Sequence, residues 1–291
     1  MNGVLKTVLD YYHDSGVDVL TGDYAQTMVE ADKPAPAPVS SSIAPQQQTA
    51  KATRVQDSAA SQRTPSFQAE ATPQATPHAL AEATRLANEA NTLEELAKTI
   101  EDFDGLAVKT HASQMVFADG NPKAEIMVIG EAPGGDEDRM GKPFVGKAGQ
   151  LLDRMFEAIG LKRDAEDIKN AIYISNILNW RPPGNRTPTP QEIEISLPFI
   201  EKHIDLIAPK IIVLMGSVPG KALLNKNEGI TKIRGKWHTY QSVTEGLKTK
   251  NKDIQAIASF HPAYLLRQPL KKKESWHDLR AIRELYDGKN S

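Results

Sequence analysis

His261 stands one phenylalanine beyond an apolar run and directly before Pro262, an awkward place for a residue that only fills space. A histidine there can donate a hydrogen bond to an anion forming on a leaving group. The plainer alternative is a ring satisfied by backbone groups at a strand end. Asn176 also closes an apolar run. Asparagine often fills turns and caps, but a primary amide also sets a donor beside an acceptor. That pair reads a flat ring edge carrying a carbonyl next to an N–H, and a ring with the opposite pattern would leave buried groups unpaired. Glu131 lies between Gly130 and Ala132-Pro133-Gly134. Most loop carboxylates are solvated; in a cleft this one could position a water or offset positive charge on a sugar. Phe144, within Gly141-Lys142-Pro143-Phe144-Val145-Gly146, could stack on a flat ring or pack in the core. Asp136, Glu137 and Asp138 read as a solvated face or helix-start charge rather than a metal site.

Several segments could meet phosphate. Arg181 and Arg186 flank a stiff Pro182-Pro183-Gly184-Asn185 stretch, and Gly216-Ser217 precedes a helical pattern whose backbone N–H groups can hold an anion. Arg234, Lys236, Trp237 and His238 form a basic and aromatic group, and Arg267 is followed by Lys271, Lys272 and Lys273. Each is ordinary surface charge alone. Around one cleft they would make a local positive rim despite a formal net charge of −2.

The elements that must position these residues are legible as periodicity. Apolar runs at 126–129, 172–174, 211–215 and 254–259 read as buried parallel strands. Helical patterns follow at 151–161, 191–207, 218–224 and 274–286, with Thr189 or Pro190 starting the second. A further helix near 77–101 is expected on the outside. This alternation predicts an α/β fold, a three-layer α/β/α sandwich with a central parallel four-stranded sheet. Ligands of open α/β sheets bind beyond the carboxyl ends of the strands, so Glu131, Asn176, Ser217 and His261 should meet in one cleft.

Composition divides the chain of 291 residues into three. Residues 1–33 carry Val4, Leu5, Val8, Leu9 and Tyr12 at helical spacing, a short amphipathic segment that cannot bury its apolar face alone and is expected to dock on the main domain or on a protein partner. Residues 34–79, rich in Pro, Ala, Ser, Gln and Thr, read as a disordered linker. Residues 80–291 form the folded domain. The absence of cysteine removes disulfides, zinc–thiolate sites and thiolate-bound iron–sulfur clusters. No apolar run approaches the roughly 18 residues of a membrane helix, and the start lacks the charged and apolar regions of a secretory signal. A cytoplasmic location without membrane association is expected.

With these motifs in hand a resemblance emerges. Gly130-Glu131-Ala132-Pro133-Gly134, then Glu137-Asp138 and the Gly141–Leu152 stretch, resemble the first motif of family 4 uracil-DNA glycosylases. Ser175-Asn176 with the 181–186 stretch resembles the following segment, and His261-Pro262-Ala263-Tyr264-Leu265-Leu266-Arg267 the second motif. The match runs in order over about residues 100–285. It implies that Asn176 reads the uracil edge, Phe144 stacks on it, and His261 supports the departing anion, with Gly130, Ala132 and Glu131 lining the pocket. Leu265 and Leu266 would wedge into the duplex while the nucleotide is flipped, and Arg181, Arg186, Ser217 and Arg267 would hold the DNA. The implied reaction is metal-free hydrolysis of the N-glycosidic bond in uracil-containing DNA, by an expected monomer in the nucleoid. The family usually holds a 4Fe–4S cluster on cysteines. The matching positions here are Phe103, Leu106, Trp180 and Ser196, so no cofactor is expected and a hydrophobic cluster should replace the metal.

Besides the lost cysteines, the first motif departs from its relatives in the superfamily. Ala132 stands where another branch of the superfamily carries a water-positioning aspartate, and Gly134 offers no bulk to reject the 5-methyl group of thymine. A third branch traps DNA through a histidine in an inserted basic loop. No insert appears near residues 181–190, so covalent trapping is not expected, with His238 as the alternative histidine for that role. Two competing readings are an inactive DNA-binding module recruiting a partner through residues 1–33, and a nucleotide-binding α/β domain. No P-loop or G-x-G-x-x-G stretch supports the latter.

Overall fold

Isoleucine- and valine-rich runs that are apolar on both faces are satisfied in a sheet covered on both sides. Six strands form: β1 (Asp119–Gly120), β2 (Ile126–Gly130), β3 (Tyr173–Asn176), β4 (Ile211–Met215), β5 (Trp237–Tyr240) and β6 (Ile254–Ser259), in the order β1-β3-β2-β4-β6-β5. The four expected strands are the central, mutually parallel ones. The expected count of four is corrected to six by antiparallel edges, β1 on β3 and β5 on β6. Neither edge shows an apolar run: one is Asp-Gly, the other Trp-His-Thr-Tyr with a single buried residue. The computed structural model describes residues 77–250 and 253–288, so the segment expected over 1–33 and the linker up to residue 76 lie outside the described residues.

The helices are α1 (Pro77–Glu89), α2 (Leu93–Asp102), α3 (Gly135–Met140), α4 (Lys147–Glu157), α5 (Pro190–Ile207), α6 (Ser217–Leu224), α7 (Ile230–Ile233), α8 (Pro262–Arg267) and α9 (Lys272–Tyr286). Strand residues alternate between faces, as the pleat requires. Ile126, Val128, Val213 and Ile257 pack with Leu152 and Phe156 of α4 and Leu279 and Ile282 of α9. Met127, Ile129, Leu214 and Ala256 pack with Ile200 and Ile204 of α5 and Leu223 of α6. These two cores make the three-layer sandwich. The single helix expected near 77–101 is two, broken at Ala90-Asn91, with Thr92 capping α2 by accepting from the Glu95 N–H. The first begins at Pro77, three residues inside the expected linker. Ala83, Ala87, Leu96 and Ile100 from this pair meet Ile195 and Phe199 of α5, whose opposite face is on the sheet. Pro190 sits in the first turn of α5, and Thr189 with Glu192 completes a reciprocal cap.

Candidate active site

Strands β3, β2, β4 and β6 end side by side, and a cleft of about 420 Å³ opens beyond β2, β3 and β6. Glu131, Ala132, Phe144, Asn176, Arg186, His261 and Arg267 all line it. Gly130, expected in the pocket, is not among the lining residues; it lies behind them, paired in register with Asn176 across β2 and β3. A Cβ on Gly130 would lie 2.4 Å from Asn176 Oδ1 and 2.6 Å from the Phe144 ring, so only glycine lets these groups meet. Asn176 is buried on a strand rather than in a turn, and no protein group bonds its side-chain amide among the described residues.

The His261 ring lies 5.5 Å from that of Phe144, centroid to centroid. Its Nδ1 accepts the Ala263 N–H at 3.1 Å, capping α8. That bond requires an unprotonated Nδ1, which leaves the neutral ring's proton on Nε2. Burial, with Arg267 nearby, pushes the imidazole down to about 4. Glu131 moves the other way. Burial raises its carboxyl above the ordinary range, partly opposed by a hydrogen bond from Thr187.

Phe144 is buried with φ 52°, a left-handed conformation unusual for a bulky residue. Its loop is tied down by Glu137, which accepts the Gly134 N–H at 3.1 Å and the Val145 and Gly146 N–H groups at 2.9 Å each. Asp138 is buried and accepts from the Ser113 N–H and hydroxyl. The acidic run is therefore not a solvated face: two of its three carboxylates are structural anchors. A Cβ on Gly134 would come 2.8 Å from Glu137 Oε2, so the carboxylate occupies the space a larger residue at 134 would fill.

Other expectations are corrected by position. Leu265 is fully buried against the core, because α8 turns it inward; Leu266 is the exposed member of the pair. Ser217 does not line the cleft. Gly216, with φ 107°, makes the close approach, and its Cβ would lie 3.2 Å from His261 Cβ. Arg181 is not among the lining residues; it donates to Oδ1 of the lining residue Asn185 at 2.7 Å and leans on Gly135. Arg234 leaves the expected rim altogether: it pairs with the buried Asp278 and lies over the Phe260 ring. Lys272 is buried, and His238 pairs with Ala256 on the edge strand, away from the cleft lining. Sequence reasoning missed Glu137, Asn185, Thr187 and Tyr264 as lining residues. In the 181–187 stretch the two arginines draw the eye, although the turn of left-handed Gly184 and Asn185 presents Asn185 to the cleft.

The four positions matching the family's cluster ligands do not suit an iron–sulfur group. Phe103, Leu106 and Trp180 are buried in one apolar cluster, and the Phe103 ring packs edge-on to Phe199 at 5.2 Å. The Ser196 hydroxyl donates to the Glu192 carbonyl at 2.7 Å. No thiolate exists anywhere in the chain.

The chain is similar to known proteins of one superfamily. The uracil DNA glycosylase superfamily model matches residues 117–285. A type-4 uracil-DNA glycosylase of Sulfurisphaera tokodaii is 42% identical over 175 residues, covering 58% of this chain and 74% of that protein. One from Pyrobaculum aerophilum is 32% identical over 191 residues, covering 64% and 91%. A Bacillus phage SP01 DNA polymerase is 33% identical over 170 residues, only 17% of its own length. With half the chain matched by the family model and the motif residues gathered in one cleft, the chain belongs to the uracil DNA glycosylase superfamily and resembles its type-4 members.

Proposed function

We propose that the chain flips uracil out of DNA into this cleft and hydrolyses its N-glycosidic bond, leaving an abasic site. The observation that carries the reading is the meeting of an uncommitted amide, an aromatic face and a neutral imidazole around Gly130. Asn176 accepts from N3–H and donates to O4, and Phe144 stacks on the ring. As the C1′–N1 bond breaks, its electron pair moves onto the uracil, and the Nε2–H of His261 donates to O2, where charge grows. A water, oriented by the ionised Glu131 carboxylate that also stabilises the cationic sugar, adds its oxygen to C1′; its proton passes to Glu131 and then by way of solvent to the departing uracil anion, which leaves as neutral uracil and returns Glu131 to its ionised form. Glu137 supplies the bulk that Gly134 lacks, against the carbon that would bear a thymine methyl group. Leu266 and Arg267 reach the duplex beside the cleft, and Arg186 meets the backbone on the far side. A duplex with one uracil, incubated and then heated in alkali, should break at that position. Binding without any cleavage would instead support an inactive DNA-binding module.

The opposed shifts set a pH profile. Glu131 must be ionised and His261 neutral, so kcat/KM should fall on the acid side through the raised Glu131 carboxyl and show no step near pH 6.5. An acid limb near 6.5 that disappears in His261→Asn would overturn this assignment. The same imidazole links folding to acid. The unfolded chain takes up a proton near pH 6.5 that the folded ring refuses until about 4, so stability drains as pH falls across that window. His203, buried and held at about 3, adds to the loss.

We also propose that the apolar cluster around Trp180 replaces the metal of the type-4 relatives. Purified protein should hold no stoichiometric iron, and chelators should leave its melting temperature unchanged. Phe103→Ala should cost about 3–5 kcal/mol in denaturant unfolding, as for a large core truncation. Iron at one cluster per chain, or a negligible cost, would refute the replacement.

A further inference from the structure

Arg163 lies outside the cleft, in the segment joining α4 to β3, and is largely buried, with 15% of its side chain exposed. Five contacts converge on its guanidinium. Nε donates to Asp153 Oδ1 at 2.9 Å, and Nη2 is 2.7 Å from the same oxygen. Nη1 donates to Asp119 Oδ2 and to the Pro143 carbonyl, both at 3.0 Å, and Nη2 donates to the Phe144 carbonyl at 2.8 Å. An ion-pair network alone has no need of the two carbonyls. Those carbonyls belong to the two peptide planes that flank the Phe144 Cα, and pinning both planes fixes φ and ψ of Phe144 together. The fixed conformation is the left-handed one, which costs a residue with a Cβ about 1–2 kcal/mol and persists only when its surroundings impose it. Gly149 closes the remaining side: a Cβ there would lie 1.8 Å from the Phe144 carbonyl oxygen.

We propose that Arg163 is the positioning residue for the stacking ring, holding Phe144 over Gly130 by clamping the peptide planes on either side of it. Asp119 on the edge strand β1 and Asp153 on α4 hold the guanidinium in turn. This gives the two-residue edge strand a task at the site, carried through one arginine. The stacking role rests on the function proposed above; the clamp itself does not.

The test is a double-mutant cycle with a spectroscopic readout beside it. Arg163→Met should lower single-turnover uracil excision by about tenfold or more, and in a Phe144→Ala background it should add little further loss, since both act through one ring. Losses that multiply would overturn the proposal. Arg163→Lys keeps the charge and can satisfy the aspartates, but a single ammonium lacks the planar fork that spans both carbonyls, so it should fall with the methionine variant. Full rescue by lysine would show that only the ion pair matters and would overturn the clamp. Where the methionine variant does not fold, the lysine variant carries the same measurements. In protein labelled with fluorophenylalanine, the Phe144 resonance, identified among the seven phenylalanines by its loss in Phe144→Leu, should shift or broaden in the Arg163 variants while the others hold. An unmoved Phe144 resonance would sink the clamp even if uracil is excised. A moved one in a protein that releases no uracil would keep the clamp and remove the stacking role.

Discussion

Exchanging His261 for leucine should slow uracil release from DNA by about 10²–10³-fold, the usual effect of removing one preorganised donor from a developing anion. The ring is neutral near pH 7 and holds its proton on Nε2, so it offers a hydrogen bond without first having to lose or gain charge. His261 also caps α8, and leucine would forfeit about 1 kcal/mol of that cap. Asparagine separates the two roles: its short side chain can still accept the Ala263 N–H, yet it cannot reach where the imidazole Nε2 stood. His261→Asn should therefore recover thermal stability without recovering rate. Single-turnover excision at saturating enzyme reads the chemical step, and a near-wild-type rate in either variant would strip His261 of its role.

Asn176→Leu should cost about 10³-fold or more, as expected if two buried hydrogen bonds worth about 4 kcal/mol together are lost from the transition state. Asn176→Asp is more informative. A carboxylate keeps the acceptor and loses the donor, so it should fail with the O4 carbonyl of uracil while accepting the exocyclic amine of cytosine. The ratio of uracil to cytosine release, measured on matched oligonucleotides, should drop sharply. An unchanged ratio with a reduced rate would mean that the amide shapes the pocket without reading the base. Because Asn176 is already on a paired strand, neither variant disturbs a turn or cap; Asn176→Leu should melt close to the parent, whereas the buried carboxylate of Asn176→Asp should lower the melting temperature.

The central sheet and the cleft were legible in the sequence for one physical reason. Strands buried on both faces must be continuously apolar, so the residue at which the run breaks marks the end of the strand. Gly130, Asn176 and Phe260-His261 are such breaks. The edges obey no such rule: β1 is two residues with no apolar side chain, and β5 needs only Tyr240 inside. Side-chain direction within a helical turn was equally hidden, so Leu265 and Leu266 looked alike until α8 buried one and exposed the other. Glu137 and Arg163 were missed because their partners are backbone groups of another segment, and no spacing pattern records a carboxylate that collects amide N–H groups or an arginine that collects carbonyls. For the same reason the sequence suggests a DNA-facing rim for Arg234, which lies over the Phe260 ring, paired with Asp278.

The pairing of Gly130 with Asn176 joins the Asn176 amide to β2, one of the two innermost strands of the sheet. Backbone there should exchange its amide hydrogens only when the whole domain opens, whereas the Pro182–Thr187 turn and the Leu266 end of α8 should exchange far sooner. Under the proposed function, the choice of base is set on the paired strands of the sheet and the grip on the surrounding DNA in the turns at the lips of the cleft. Descendants of such a fold can drift in the lips of the cleft, changing which DNA contexts they accept, while the letter they recognise stays put.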